Sequence, residues 1–313
     1  MKYFCNIISK FCSSDVKKKI LHFYEKLEKQ GLIPDILNLR LDNYELKSNN
    51  LFFITLNKNT EFHLQDLVNK MNCKTTRVII ITNEEENFFD FAIEYNICNI
   101  IHIKKLNENL LLGILNCFLK ENLSLESFFG NRKKIFDKHY CLSGNISMFK
   151  LIENTFADFI EKIQSEIRNT FIINCHELVT NAIAYGVLGI TAYARDKKEL
   201  DTTHYTKINI PRNKEVKVRL LMNEDLYGIY VRDSSGLLTI QRILERIRRQ
   251  SIEAGETIPQ GIEDYTGRGL AILSHLGILI FSIKPGEFTE VSLISNIEAN
   301  FEESPISILA AEI

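Results

Sequence analysis

Over the first 125 residues, short unbroken apolar runs alternate with longer stretches whose apolar positions recur every three or four residues. "KYFCNII", "DILNLRL", "LFFITL", "RVIIIT" and "NIIHI" are runs of the first kind and predict strands. "DVKKKILHFYEKLEKQG", "TEFHLQDLVNKM", "ENFFDFAIEYN" and "ENLLLGILNCFLKE" are of the second kind and predict amphipathic helices. The first of these helices is expected to be N-capped by Asp15 and closed by Gly31. Alternating strand and helix predicts a parallel sheet, and strands apolar on both faces predict helices on each side of it. Residues 1–125 therefore read as an α/β unit.

The pattern changes twice more. Residues 126–145, "ESFFGNRKKIFDKHYCLSGN", lose periodicity and carry a short basic run from Arg132 to Lys134, the signature of a solvated linker. From 146 to 298 the rhythm is that of an α+β domain. Helical patterns at about 146–168 and 169–190 lead through a polar loop to Lys214. A hairpin follows, in which Val216, Val218 and Leu220 alternate with polar residues, "NED" turns, and Tyr227, Ile229 and Val231 alternate back. Then come a helix "TIQRILERIRRQ", a short helix "GLAILSHL", a strand "ILIFSI", a "KPGE" turn and a last strand "EFTEVSLI". This order predicts helices on one face of a mainly antiparallel sheet. Residues 299–313 read as a C-terminal tail, loosely ordered or used to dock a partner.

Composition narrows the class. A chain of 313 residues favours two domains over a single core. A net charge of −2 argues against bulk nucleic-acid binding. Seven cysteines, with no C-x-x-C pair and no metal-ligand spacing, fit reduced thiols in the cytoplasm. The opening "MKYFCNIISKFC" is too short and too weakly apolar for a signal peptide, and no apolar run reaches the length of a membrane span.

Three polar or glycine-bearing islands in the second half invite a chemical reading: "HELVTN" within a helix, "VRDSSG" at a strand end and "TGRGL" opening a helix. Each alone has an ordinary structural meaning: a satisfied buried pair, a turn, a helix start. In combination they describe a site. Glu177 and Asn181 are four residues apart and share one side of a helix. Asn181 offers a neutral oxygen to Mg²⁺, and Glu177 can orient or deprotonate a nucleophile. Asp233 can accept from an exocyclic amine, with Gly236 letting the chain pass close to a flat ring. Gly267 and Gly269 leave amides free at a helix N-terminus, where a phosphate is favoured.

These stretches resemble the motifs of the GHKL (Bergerat-fold) ATP-binding domain. "HELVTNAIAYG" is similar to its N box, "RDSSG" to its G1 box and "TGRGLAIL" to its G2 box, in family order and followed by "TEVSLI". The resemblance covers residues from about 146 to 295. It implies ATP and Mg²⁺ as cofactors, Asn181 as the metal ligand and Glu177 as the catalytic base. It further implies Asp233 and Gly236 at the adenine, and Gly267, Arg268 and Gly269 at the phosphates. The segment between Gly236 and Gly267 would be the ATP lid, with Arg242, Arg246 and Arg249 on one side and Ile240, Leu244 and Ile247 on another. This chain departs from the pattern twice. "DSSGL" has Ser235 or Leu237 where the family has a second glycine, and Tyr185 replaces the usual N-box histidine.

Within the family, the sequence is closest to anti-sigma-factor serine/threonine kinases. His139 in "DKHYC" lacks the paired helices that a histidine kinase gives its phosphoacceptor, and His176 lies about 100° around the helix from Glu177. The first 125 residues resemble a receiver domain (flavodoxin-like) without its acids: Thr55 stands where receivers carry the phosphorylated Asp, and Asp15 alone follows the first strand. Thr82, and Lys104 or Lys105, occupy the switch positions. This implies a pseudo-receiver serving as a docking or homodimerisation surface. The expected function is an intracellular, ATP-binding signalling protein that phosphorylates a partner protein such as an anti-sigma antagonist. The alternatives are a non-catalytic, ATP-gated binding module and a histidine-kinase-like protein acting with a partner in trans.

Overall fold

The computed structural model describes residues 3–7, 14–32, 37–41, 50–55, 77–82, 88–147, 150–189, 208–250, 268–297 and 307–313. They form an α/β structure with a mixed, mainly antiparallel set of strands. The chain divides into two compact units at Gly130 and Asn131, with 307–309 in the first and 310–313 in the second. Among the described residues, no helix is long and apolar enough to cross a membrane.

In unit 1, strands β1 (Tyr3–Ile7), β2 (Leu37–Leu41), β3 (Asn50–Thr55), β4 (Arg77–Thr82) and β5 (Ile100–His102) pair in parallel in the order 2-1-3-4-5. That order is one of the two common doubly wound arrangements. Leu51 to Ile54 and Ile79 to Ile81 are buried without alternation, as the apolar runs predict. Helix α1 (Ser14–Lys29) begins one residue ahead of Asp15. Asp15 is therefore not the cap; it sits inside the first turn, where a carboxylate favours the helix dipole. Gly31 does close the helix, at φ +69°, with the Gly31 and Leu32 amides donating to the Glu28 and Leu27 carbonyls. Helices α2 (Phe88–Glu94), α3 (Glu108–Leu119) and α4 (Leu125–Phe129) follow; Asn107 caps α3 through the Leu110 amide at 2.9 Å. The helix expected from "TEFHLQDLVNKM" lies outside the described residues. Ile308 of β13 (Ile308–Glu312) pairs antiparallel with Ile100.

Unit 2 is built on antiparallel strands β6 (Phe136–Leu142), β9 (Val216–Met222), β10 (Leu226–Asp233), β12 (Phe288–Asn296) and β11 (Ile278–Lys284), neighbours in that order. Strands β7 (Gly144–Ile146) and β8 (Ile208–Ile210) form a separate pair. Segment 126–145 is thus not a bare connector: it holds most of α4, all of β6 and the start of β7. Three consecutive exposed residues, Asp137 to His139, hide the period of β6, which sits at the edge of its sheet. The tail likewise contains β13.

The helical layer is also divided differently from the expectation. A π-helical turn at Leu151–Thr155 and helix α5 (Ala157–Ile160) stop short, Gln164 is extended at ψ 147°, and helix α6 runs over Ser165–Asn181. A second π-helical turn, Ala182–Val187, continues it. Helices α7 (Ile240–Gln250) and α8 (Arg268–Leu276) complete the layer. Helix α6 is fixed to β10 by an aromatic cluster in which Phe171 stacks on Phe159 at 4.7 Å and meets Tyr227 edge-on at 5.8 Å. Asn174 donates to the Tyr227 hydroxyl at 3.3 Å, and burial pushes that phenol up to about 12. This packing makes a firm platform for the turns that follow α6.

Candidate functional site

All of the site lies within unit 2, where three segments distant in sequence meet at glycines. Glu177 and Asn181 are half-buried on the same side of α6. Gly269, in the first turn of α8, faces both: a Cβ at this position would clash with the Glu177 carboxylate and lie 3.5 Å from Asn181 Nδ2. A side chain at 269 would require the Glu177 carboxylate to move. The second meeting is at Gly186 in the π-helical turn, where a Cβ would lie 2.5 Å from Asp233 Oδ2. The "HELVTNAIAYG" segment therefore touches "TGRGL" near its middle and "RDSSG" at its end. Gly267 lies outside the described residues; Arg268 begins α8, and only its backbone is described.

Asp233 ends β10 and is 7% exposed. Its Oδ1 accepts from the Ser235 amide at 2.9 Å and the Ser235 hydroxyl at 2.5 Å. Ser235, one of the two positions at which the resemblance led one to expect glycine, thus helps to orient the carboxylate. Burial raises the Asp233 carboxyl above its ordinary value, while the Ser235 bonds and the charges of Arg232 and Lys214 oppose the rise. Lys214 approaches because its ammonium donates to the Val187 carbonyl at 2.6 Å, satisfying the end of the π-helical turn. Among the described residues no donor reaches Asp233 Oδ2, the oxygen toward Gly186.

Thr289 is the residue that sequence reasoning missed. It stands directly across from Asp233 in the β10–β12 ladder, is 4% exposed, and its Oγ1 has no hydrogen-bond partner among the described residues. Thr180 Oγ1, beside Asn181, is likewise buried without a partner among them. A buried hydroxyl left unpaired costs about 1–3 kcal/mol, so each of these two calls for a partner beyond the described residues. The only sequence signal for Thr289 was the "TEVSLI" strand that carries it; its register against Asp233 is a tertiary fact.

Gly236 makes a close backbone contact. Its φ is +57°, and a Cβ would strike the Lys284 carbonyl and crowd the Gly286 and Glu287 amides. Its carbonyl accepts from the Gly286 amide at 3.2 Å. The glycine docks the post-β10 loop onto the β11–β12 turn, and so holds Asp233 in place from behind. Helix α7 buries Ile240, Ile243, Leu244 and Ile247, one more residue than its predicted face, and Arg246 lies over the Tyr185 ring.

The arrangement offers a buried acceptor, Asp233, directly across the strand pair from a buried hydroxyl, Thr289. It also offers a carboxylate and carboxamide facing a glycine at a helix start, where amides and the dipole favour phosphate. No group of three or more metal-ligating His, Cys, Asp or Glu occurs among the described residues. Neither the protein-family models nor the curated proteins contain a match to this sequence.

Proposed function

We propose that unit 2 is a GHKL-type nucleotide-binding domain that takes ATP with Mg²⁺, and that the protein is a signalling kinase of the anti-sigma serine/threonine type. One observation carries the reading. The three motifs, separated by tens of residues, meet in family order at Gly186 and Gly269, beside the buried Asp233 carboxylate and the buried Thr289 hydroxyl, which has no partner among the described residues. In this reading Asp233 and Thr289 hold the adenine edge, Asn181 supplies the protein oxygen to Mg²⁺, and the Gly269 turn of α8 lies against the phosphates. Mg²⁺ would neutralise charge on the phosphate oxygens. Glu177 takes the proton from a partner's Ser or Thr hydroxyl as that oxygen bonds to the terminal phosphorus and the bond to ADP breaks.

A non-catalytic, ATP-gated binding role is the second reading. It is favoured by Ser235, whose bonds to Asp233 tie down a loop that the family leaves freer with glycine. The test separates the two. Mg²⁺–ATP should raise the melting temperature by several degrees at saturating nucleotide, and Asn181→Ala should abolish the rise. Phosphate transfer from labelled ATP to a co-purified protein, lost in Glu177→Ala, supports the kinase; binding without transfer leaves the gated module.

For unit 1 the finer reading is a pseudo-receiver that docks partners or a second copy. The parallel 2-1-3-4-5 order supports it, as does neutral, buried Thr55 at the carboxyl end of β3. Of the two candidate switch lysines, Lys105 is half-buried and pulled down to about 7 by burial, whereas Lys104 is exposed.

A further inference from the structure

Lys214 carries a charge that no carboxylate among the described residues pairs with. It closes the turn ahead of β9, its amide donating to the Pro211 carbonyl at 2.9 Å, and it is half-buried. Its ammonium donates to the Val187 carbonyl at 2.6 Å. The adjacent carboxylate, Glu215, is turned elsewhere, accepting from Lys217 and from the Cys141 thiol, each at 3.0 Å. Val187 directly follows Gly186, where a Cβ would clash with the Asp233 carboxylate. The ammonium is thus anchored one residue from the turn that backs Asp233.

Among the described residues, few charges act on Asp233. Arg232, beside it on β10, is already paired: it donates to Glu290 at 2.9 Å and lies 3.9 Å from the centroid of the Phe288 ring. The Ser235 amide and hydroxyl hold Oδ1, and Thr289 stands across on β12; none of these carries a charge. Lys214 is the cation left over to favour the ionised carboxylate, which burial disfavours. The protonation state decides what Asp233 can recognise. An ionised carboxylate only accepts, as an aminopurine requires, whereas a protonated one also donates, as an oxopurine requires. We propose that Lys214 is a positioning and specificity-determining residue: it ties the Gly186 turn against Asp233 and sets its charge behind the carboxylate, so that aminopurine nucleotides are taken in preference to oxopurine ones. The inference rests on the nucleotide reading above.

Titration calorimetry of the full chain with Mg²⁺–ADP and its hypoxanthine counterpart, Mg²⁺–IDP, from about pH 5 to pH 8 tests it. Phosphate and metal chemistry is common to both nucleotides and cancels in the ratio of their affinities. Wild type should prefer ADP about tenfold or more at neutral pH, the preference falling as Asp233 protonates. Lys214→Gln keeps a donor for the Val187 carbonyl but loses the charge. Its preference should fall at higher pH than in wild type, leaving the ratio about fivefold lower on the acid side. Lys214→Arg should restore the wild-type curve. Arg212→Gln, which removes an exposed charge from the same turn, should match wild type. NMR titration of the Asp233 carboxyl in nucleotide-free protein should show the same upward move in Lys214→Gln. A Lys214→Gln curve equal to wild type, or the same change in Arg212→Gln, overturns the assignment while the nucleotide reading stands. A wild-type protein that binds neither nucleotide overturns both.

Discussion

The two units treat their buried polar groups in opposite ways. At the carboxyl ends of the unit 1 strands, His102 Nδ1 accepts from the Lys104 amide at 3.1 Å and the His102 amide donates to the Ser307 hydroxyl at 3.3 Å. No buried side-chain polar atom described in unit 1 is without a partner. In unit 2, Tyr140 Oη, Asn174 Oδ1, Thr180 Oγ1 and Thr289 Oγ1 are all buried and unpaired among the described residues. A polar set that closes on itself is architecture, because it stabilises the fold without help. An open set costs stability and is retained where a ligand completes it. On the proposed reading, Thr55 stands at a closed strand end and Thr289 stands in the nucleotide site.

The harshest way to break this contrast is to fill the open site covalently. Gly186→Ala pushes a methyl into Asp233. It should destabilise the protein by about 1–3 kcal/mol in urea melts and eliminate nucleotide-dependent stabilisation. A sharper test compares two hydroxyl deletions. Thr289→Val removes an orphan, so the nucleotide-free protein should be as stable as wild type or gain up to about 1 kcal/mol, while ATP affinity falls about tenfold. Ser307→Ala removes a satisfied acceptor in unit 1 and should lose about 1 kcal/mol with ATP affinity unchanged. Opposite signs from the same kind of change would confirm that the units differ as described.

A smaller effect is pH-dependent. Burial raises the Asp233 carboxyl in the folded state. The stability it contributes is therefore fully present below its unfolded value, 3.8 in the reference scale, and is lost as pH rises through the folded value. Nucleotide-free Asp233→Asn should accordingly be more stable than wild type at neutral pH, with the advantage vanishing near pH 4, about the unfolded carboxyl value. The smallest effect is a null: acetyl phosphate should leave unit 1 unlabelled, and a labelled aspartate there would overturn the pseudo-receiver reading.

Much of this was legible in the sequence because local period and burial agree. Val216, Val218 and Leu220, and Tyr227, Ile229 and Val231, alternate on paper and are buried in the structure. Asn223, in the predicted turn, accepts from the Asp225 and Leu226 amides through its Oδ1. Glu177, Asn181, Asp233 and Gly269 stood out in the sequence because their types are unusual on apolar elements, and the structure brings Glu177 and Asn181 to Gly269. The rest depended on tertiary facts. Strand β6 was hidden because Asp137 to His139 give an edge strand no alternation. The break before Ser165 contains no proline or glycine. The pairing of Thr289 with Asp233, and of Arg246 with Tyr185, spans more than fifty residues each and follows from register and helix docking alone.

The most direct measurement is a calorimetric titration of Mg²⁺–ATP into wild type and Asp233→Asn side by side. A single saturable site in wild type, weakened at least a hundredfold in a variant that remains folded, is the result expected of an aspartate that accepts the adenine amine. Equal binding by both proteins, or no heat from either, would contradict the account.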